Sequence, residues 1–232
     1  MPEPSDLSVQ HRRRLLGRRE ALLTLGAGVG AIYGLRGLLR VESAAGASCV
    51  LQREVTEGPY YLDLDLLRRD IRGGRPGTPM TLRLKEVDAT TCKPIRNATV
   101  DIWHADAGGV YSGVGGNRGN FLRGIQRTDA AGNVRFETIV PGWYRGRTPH
   151  IHVKVLVSGH EVHTGQVFFR PAVLRAIYAQ GAYAARGQAD TSNATDGIYG
   201  DAGPRSLLAL ERKGARVSGG YTAALTLGVK RS

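Results

Sequence analysis

The chain has 232 residues, of which 41% are hydrophobic, 22% charged and 6% aromatic, with a formal charge of +12. This length fits one domain with an appendage, and this composition excludes wholesale disorder; thirty-two glycines without a G-X-Y period exclude collagen. No uninterrupted apolar run reaches the roughly 18–20 residues of a spanning helix, which excludes a multi-pass membrane protein.

Residues 1–48 read as an export signal. Arg12-Arg13-Arg14 and Arg18-Arg19 precede a charge-free stretch from Ala21 to Leu35, and the small-residue run Ser43-Ala44-Ala45-Gly46-Ala47-Ser48 follows. That is the n-, h- and c-region order of a signal. The pair Arg18-Arg19 resembles a twin-arginine signal, whose route carries folded proteins. The expectation is a cleaved signal, an exported or cell-surface protein, and one domain over residues 49–232. A lipid anchor on Cys49 ranks second, because Gly46 stands where Leu is expected; a retained helix ranks third. The signal holds seven Lys/Arg against four Asp/Glu, leaving 25 against 16, or +9, for residues 49–232. A basic surface favours anionic partners. This part, however, has no basic helix, no basic stretch interleaved with aromatics and no nucleic-acid motif. No nucleic-acid partner is expected, and membrane contact only through the signal.

The chain's two cysteines are Cys49 and Cys92. An even count beyond the signal of an exported chain favours a disulfide, closing a loop of 92 − 49 = 43 residues. Two unpaired thiols are the alternative. Leu64 to Arg69 reads as a helical turn or two. Short runs of alternating apolar and polar residues then follow at Met80–Lys85, Val100–Ile102, Val134–Glu137, His150–Val157, His163–Phe169, Leu207–Leu210 and Tyr221–Val229. Turn residues such as Asp129-Ala130-Ala131-Gly132-Asn133 separate them. The pattern predicts an all-β fold, an antiparallel β-sandwich with long loops and one or two short helices. The helix with the clearest signals runs from Pro171 to Gln180, with Pro near its start and Gly181 beyond its end. Ala182 to Pro204 is polar and Gly-rich and reads as a long surface loop.

Two clusters carry chemistry-bearing side chains. In the first, Asp101-Ile102-Trp103-His104-Ala105-Asp106-Ala107-Gly108-Gly109-Val110-Tyr111, a strand runs into a Gly-rich turn that presents Tyr111. The second runs from Pro141 to Val153 and contains Tyr144, Arg147, His150 and His152. On a strand, residues two apart share a face. His150, His152 and Lys154 therefore point one way, and Ile151, Val153 and Val155 the other, towards a core. An H-x-H pair alone is more often an exposed strand than a metal site. The tyrosines change this balance. A phenol loses its proton at neutral pH only to a cation of high charge, so two Tyr and two His on one metal would select Fe(III). Spacing alone leaves each tyrosine open to a role as pocket wall.

Four segments together resemble the intradiol ring-cleavage dioxygenases, a family that includes protocatechuate and catechol dioxygenases. They are Glu54-Val55-Thr56-Glu57-Gly58-Pro59-Tyr60-Tyr61, Trp103 to Tyr111, Pro141 to His152, and His163-Thr164-Gly165-Gln166-Val167-Phe168-Phe169. The likeness covers about residues 49–232 and is nearest to single-domain exported members. It implies a non-haem Fe(III) enzyme that uses O2 to cleave catechol-type rings between the two hydroxyls. It further implies Tyr111, Tyr144, His150 and His152 as iron ligands, with Tyr144 leaving when substrate binds. Arg147 would stabilise negative charge on the substrate ring, and Gln166 would lie near the substrate and oxygen site. Pro59 and Tyr60 would line the pocket mouth.

The chain departs from its relatives between Tyr144 and His150, where only five residues stand. Arg145 and Gly146 replace the aromatic wall of protocatechuate-type enzymes, so a more open pocket and bulkier catechols are expected. Because most of the roughly 50 residues before the core read as signal, no counterpart of the helical N-terminal dimer domain of catechol-type enzymes is expected. Two other functions compete: an exported sandwich that binds phenolics or polysaccharide without turnover, and a zinc hydrolase built on His150 and His152. His160 and His163 read as a turn and a strand histidine, His104 as a hydrogen-bonded structural residue, and Trp103 and Trp143 as core or pocket wall.

Overall fold

Wherever the sequence alternates, the backbone is extended, and a computed structural model describes this for residues 49–231. The expected export signal, residues 1–48, lies outside the described residues. The strands are β1 (Pro79–Asp88), β2 (Thr99–Trp103), β3 (Arg123–Arg127), β4 (Asn133–Ile139), β5 (His150–Val157), β6 (His160–Phe168), β7 (Ala209–Arg212) and β8 (Tyr221–Val229). They form two four-stranded sheets, β4-β1-β8-β7 and β3-β2-β5-β6. Every pairing is antiparallel except β1 with β8, which is parallel. A parallel pair needs a long crossover, and here everything between β1 and β8 provides it.

The core lies between the sheets. Met80, Leu82 and Leu84 of β1, Ala223 and Leu227 of β8 and Phe136 of β4 meet Val100 and Ile102 of β2 and Ile151, Val153 and Val155 of β5 in one buried cluster. Each large aliphatic side chain removed from water contributes roughly 1.5–3 kcal/mol. The second sheet is buried on its other face as well, where His150, His152 and Lys154 stand. Loops cover that face, and the candidate site lies beneath them.

Helix is scarce, as the sequence implied. α1 (Pro171–Tyr178) has Pro at its start and buries Leu174, Ile177 and Tyr178. Tyr178 donates to Pro141 O at 2.7 Å, and Tyr183, from the 3₁₀ turn Gly181–Arg186, donates to Val140 O at 2.6 Å. These two phenols pin the start of the segment that carries Tyr144. Two local expectations need correction, and one strand had no expectation at all. Leu64 to Arg69 is extended, not helical: Arg68 N–H donates to Ile125 O, and Leu67 bridges to the same residue. Leu67 is 65% exposed, so no apolar face rewards a helix there. β3 gave no alternating signal because it follows from pairing with β2. Ala182–Pro204 is not only a surface loop; it contains the short helix α2 (Gly197–Ala202) and the buried Asp196.

Cys49 and Cys92 are joined by a disulfide, Cα to Cα 5.1 Å. The loop of 43 residues gives it about 4 kcal/mol of stabilisation in the chain-entropy model. One polar residue interrupts the core face. Glu86 continues the inward phase of Leu82 and Leu84, is fully buried, and neither carboxyl oxygen has a protein partner. Burial raises its pKa to about 8. The folded state therefore keeps Glu86 protonated at pH values where the unfolded chain has ionised it. Its contribution is present below the ordinary carboxylate range and is lost as pH rises towards 8. Glu86→Gln should be more stable than the parent by a few kcal/mol at pH 8, and the gap should close at pH 4–5. Urea unfolding at the two pH values checks this; a gap independent of pH would show that Glu86 is not held neutral.

Candidate metal centre

Each of the four candidate donors is placed by its own local structure. Tyr111 ends a turn in which Asp106 Oδ1 accepts from the backbone N–H of Gly108 (2.8 Å) and Val110 (3.0 Å). The buried Arg123 holds the next residue, donating to Ser112 O at 2.8 Å. Tyr144 follows the Pro141-Gly142 turn. His150 and His152 open β5 and share its outer face. His150 Nδ1–H donates to Thr148 O at 2.7 Å, which leaves its Nε2 lone pair free. The His152 ring lies flat on Trp103, 4.8 Å between centroids and 7° between planes. Trp103 thus serves as wall to the site.

The two tyrosine loops touch through glycines. Gly109 has φ +80°, and a Cβ there would lie 2.2 Å from Trp143 O; a Cβ on Gly142 would lie 2.3 Å from Ala107 O. Gly142 N–H also donates to Asp106 O at 2.9 Å. Arg186 ties both loops, donating to Gly108 O and, at 2.9 Å, to Trp143 O, while its guanidinium covers the Trp143 ring.

These supports bring the four donor atoms together. Tyr111 Oη is 3.4 Å from His150 Nε2 and 3.1 Å from His152 Nε2. His150 Nε2 is 3.2 Å from both His152 Nε2 and Tyr144 Oη. Tyr111 Oη, His150 Nε2 and His152 Nε2 thus form a triangle with Tyr144 Oη beside it, spacings that suit N and O ligands about 2.0 Å from one transition metal. Burial, then the Arg147 guanidinium, lowers the His150 pKa to about 3. Burial, then His150, lowers His152 far below its ordinary value. Both rings are therefore neutral and ready to donate lone pairs. Burial raises Tyr111 well above the ordinary phenol and raises Tyr144 as well, against the pull of Arg147. His152 Nδ1 is buried without a protein partner. The engaged nitrogen of His152 is therefore Nε2, the one that faces Tyr111 and His150. The residues fit a single metal ion, and the two phenols favour one of high charge.

Beside the donors, Arg147 Nη1 lies 3.5 Å from Tyr144 Oη, and Arg147 Nη2 donates to Gln166 Oε1 at 2.5 Å. Gln166 Nε2 donates to Thr56 O at 3.0 Å, tying in the segment that bears Tyr60. Tyr60 stacks on Tyr111 at 4.5 Å and meets Tyr144 edge-on at 6.0 Å. Pro59 is exposed at the rim. The candidate donors, Arg147, Gln166 and Tyr60 thus fall on one site, and Pro59 precedes Tyr60 in the chain. Lys154 forms ion pairs with Glu57 and Glu161 and sits 3.8 Å over the Tyr61 ring, which fastens the same segment. The expected structural role of His104 is seen in its contacts with Ala105 O (2.8 Å) and Thr138 Oγ1 (2.7 Å). Asp196 was missed: it accepts from Arg147 Nε at 2.9 Å. Its one signal was indirect, since a half-buried arginine calls for a carboxylate.

A β-sandwich whose buried outer face gathers two phenols and two imidazoles is a narrow class, and comparison with known proteins places the chain within it. Residues 56–189 match the family model described as Dioxygenase. An intradiol ring-cleavage dioxygenase from Tetranychus urticae superposes with a TM-score of 0.73 at 34% identity, covering 78% of this chain and 95% of that one. The dioxygenase domain of a dioxygenase carbohydrate-binding protein fusion from Streptomyces sp. SirexAA-E gives 0.60 at 30%, covering 76% and 96%. Catechol 1,2-dioxygenase 2 of Acinetobacter lwoffii is 32% identical over 177 residues, 65% of this chain and 63% of that one. The chain spans about half the length of the chlorocatechol 1,2-dioxygenases it matches at 26–28% identity. The chain belongs to the intradiol ring-cleavage dioxygenase family.

The glycine contact makes a local prediction. Gly142→Ala should destabilise the fold by about 1–3 kcal/mol, because backbone on the facing loop must give way. Gly200, in α2, has open space around a built Cβ and no left-handed φ. Gly200→Ala should be neutral or stabilising by up to about 1 kcal/mol. Denaturant midpoints for the two variants check the contrast; equal effects would sink it.

Proposed function

We propose that this domain is an exported non-haem Fe(III) dioxygenase that opens catechol-type rings between their two hydroxyls with O2. The observation that carries the reading is the convergence of Tyr111, His150 and His152, whose donor atoms lie 3.1–3.4 Å apart, with Tyr144 Oη 3.2 Å from His150 Nε2. These four residues would hold the iron. The chemistry such an ion supplies is withdrawal of electron density from a bound catecholate, which opens the ring to O2.

The chain's own residues do the rest. Tyr144 is half-buried where Tyr111 is buried, so of the two it would be the one free to swing out; held as a phenolate by the iron, its Oη would take a substrate hydroxyl proton and leave as the phenol. Arg147 already points at that oxygen. It would meet negative charge on the ring as a preorganised cation, an effect worth a few kcal/mol in comparable sites. Gln166 holds the guanidinium through Nη2, beside the Nη1 that faces Tyr144. Tyr60 stacks on Tyr111 and forms one wall. Arg145 and Gly146, which follow Tyr144 in the chain, are small or exposed and supply no aromatic wall. Substituted catechols are the substrate class this favours. The Cys49–Cys92 disulfide supports an oxidising compartment, and the Arg18-Arg19 pair supports export by the twin-arginine route. Retention of Arg18→Lys/Arg19→Lys protein in the cytoplasm would test that part.

Iron-replete protein should be coloured by a tyrosinate-to-iron band and should consume O2 with catechols. Colourless, iron-free protein would overturn the reading, and colour without O2 uptake would reduce it to binding. Tyr111→Phe and His152→Ala should each lose iron and activity together. Arg147→Ala should keep its iron while kcat falls about 10²-fold or more. Metal analysis beside oxygen-electrode rates separates the two kinds of loss.

A further inference from the structure

The buried carboxylate of Asp196 spends both oxygens on the site. Oδ2 accepts from Arg147 Nε at 2.9 Å and from the Thr148 backbone N–H at 2.8 Å. Oδ1 accepts from Tyr199 N–H at 3.0 Å and so caps α2. Burial alone would raise the Asp196 pKa; the Tyr199 and Thr148 N–H groups and Arg147 outweigh it and hold the group ionised. Among the described residues, Arg147 forms its ion pair with Asp196 alone. A guanidinium is planar and rigid, so fixing two of its nitrogens fixes the third. Asp196 takes Nε and Gln166 takes Nη2, which leaves Nη1 directed at Tyr144 Oη. Thr148 in turn carries the carbonyl that orients His150.

We propose that Asp196 is a positioning residue for ring cleavage, setting the plane and direction of the Arg147 guanidinium beside Tyr144. Its catalytic consequence rests on the dioxygenase reading; its structural consequence does not. A carboxylate is required because three N–H groups converge on two oxygens. In Asn, one oxygen becomes NH2, and either flip sets that NH2 against a backbone or guanidinium N–H. The segment 188–203 is thereby coupled to the centre through one side chain, although it contributes none of the four donors.

Two measurements test this. In iron-free protein labelled with ¹⁵N-arginine, the Arg147 Nε–H should give a separate, slowly exchanging resonance. That resonance should be lost in Asp196→Asn while the rest of the spectrum keeps its dispersion. In iron-loaded protein, Asp196→Asn should lower kcat about ten- to hundredfold with little change in KM and full iron content. In an Arg147→Ala background the same substitution should cost no more than about twofold, the scatter of unrelated changes. Asp196→Ser keeps a side-chain oxygen to cap Tyr199 and should behave the same way, which covers the case in which the Asn variant does not fold. An unchanged Arg147 resonance, or an equal fold-loss in both backgrounds, would overturn the proposal. If the parent protein took up no iron and cleaved no catechol, the dioxygenase reading would fall, and the resonance would still decide whether Asp196 orients Arg147.

Discussion

The two-residue repeat of β5 is the constraint on which the rest depends. A strand cannot turn consecutive side chains to the same face. Ile151, Val153 and Val155 fill the space between the sheets, so His150, His152 and Lys154 must stand on the far side. In an ordinary sandwich that side meets water. Here it is covered by the Tyr60 segment, the Tyr111 turn and the Tyr144 loop. The same backbone that builds the core thus fixes two imidazoles at a separation no loop would hold as firmly. Register extends the effect: Trp103 is opposite His152 on β2, and Gln166 is opposite it on β6. A slip of one residue would exchange donors for core, so the fold's stability itself guards the site.

Burial gives the centre its electrostatic character. It keeps the imidazoles uncharged and makes the phenols harder to ionise. Four neutral donors around a space of this size offer little to one another. A cation reverses the balance for the phenols, since local positive charge favours the phenolate. Arg147 lies close enough to help Tyr144 in this and is kept from repelling the metal region outright by its pairing with Asp196. Desolvation thereby favours a centre that is empty of charge or filled by a highly charged ion.

Much of this was legible in the sequence, because alternation and short motifs are local. The strands, the Pro-started helix, the cysteine pair and the His150/His152 face each follow from a few neighbouring residues. What was not legible depends on partners remote in the chain. β3 is a strand because β2 is beside it. Leu64–Arg69 is extended because β3 and β4 offer backbone groups to it. Asp196 has an ordinary place in a polar loop until α2 turns it under Arg147. Glu86 shows the reverse: its inward phase could be counted from Leu82 and Leu84, yet a carboxylate argues for the surface on composition. Tyr111 and Tyr144 are joined only by resemblance until the loops that carry them are seen to meet.

That meeting explains why the short stretch after Tyr144 need not loosen the centre. The position of Tyr144 is set behind it, not in front: Pro141 and Val140 are pinned by Tyr178 and Tyr183, Gly142 lies against Ala107, and Arg186 binds Trp143 to Gly108. Ahead of Tyr144, Arg145 and Gly146 are exposed, and at Arg147 and Thr148 Asp196 takes hold of the chain again. Only the exposed positions 145 and 146 lie between these anchors, and Gly146, at φ +80°, and the Arg147 N–H, which donates to Tyr144 O at 3.2 Å, shape the turn there. Arg147, held by Asp196 and Gln166, keeps its direction although the two residues before it are exposed.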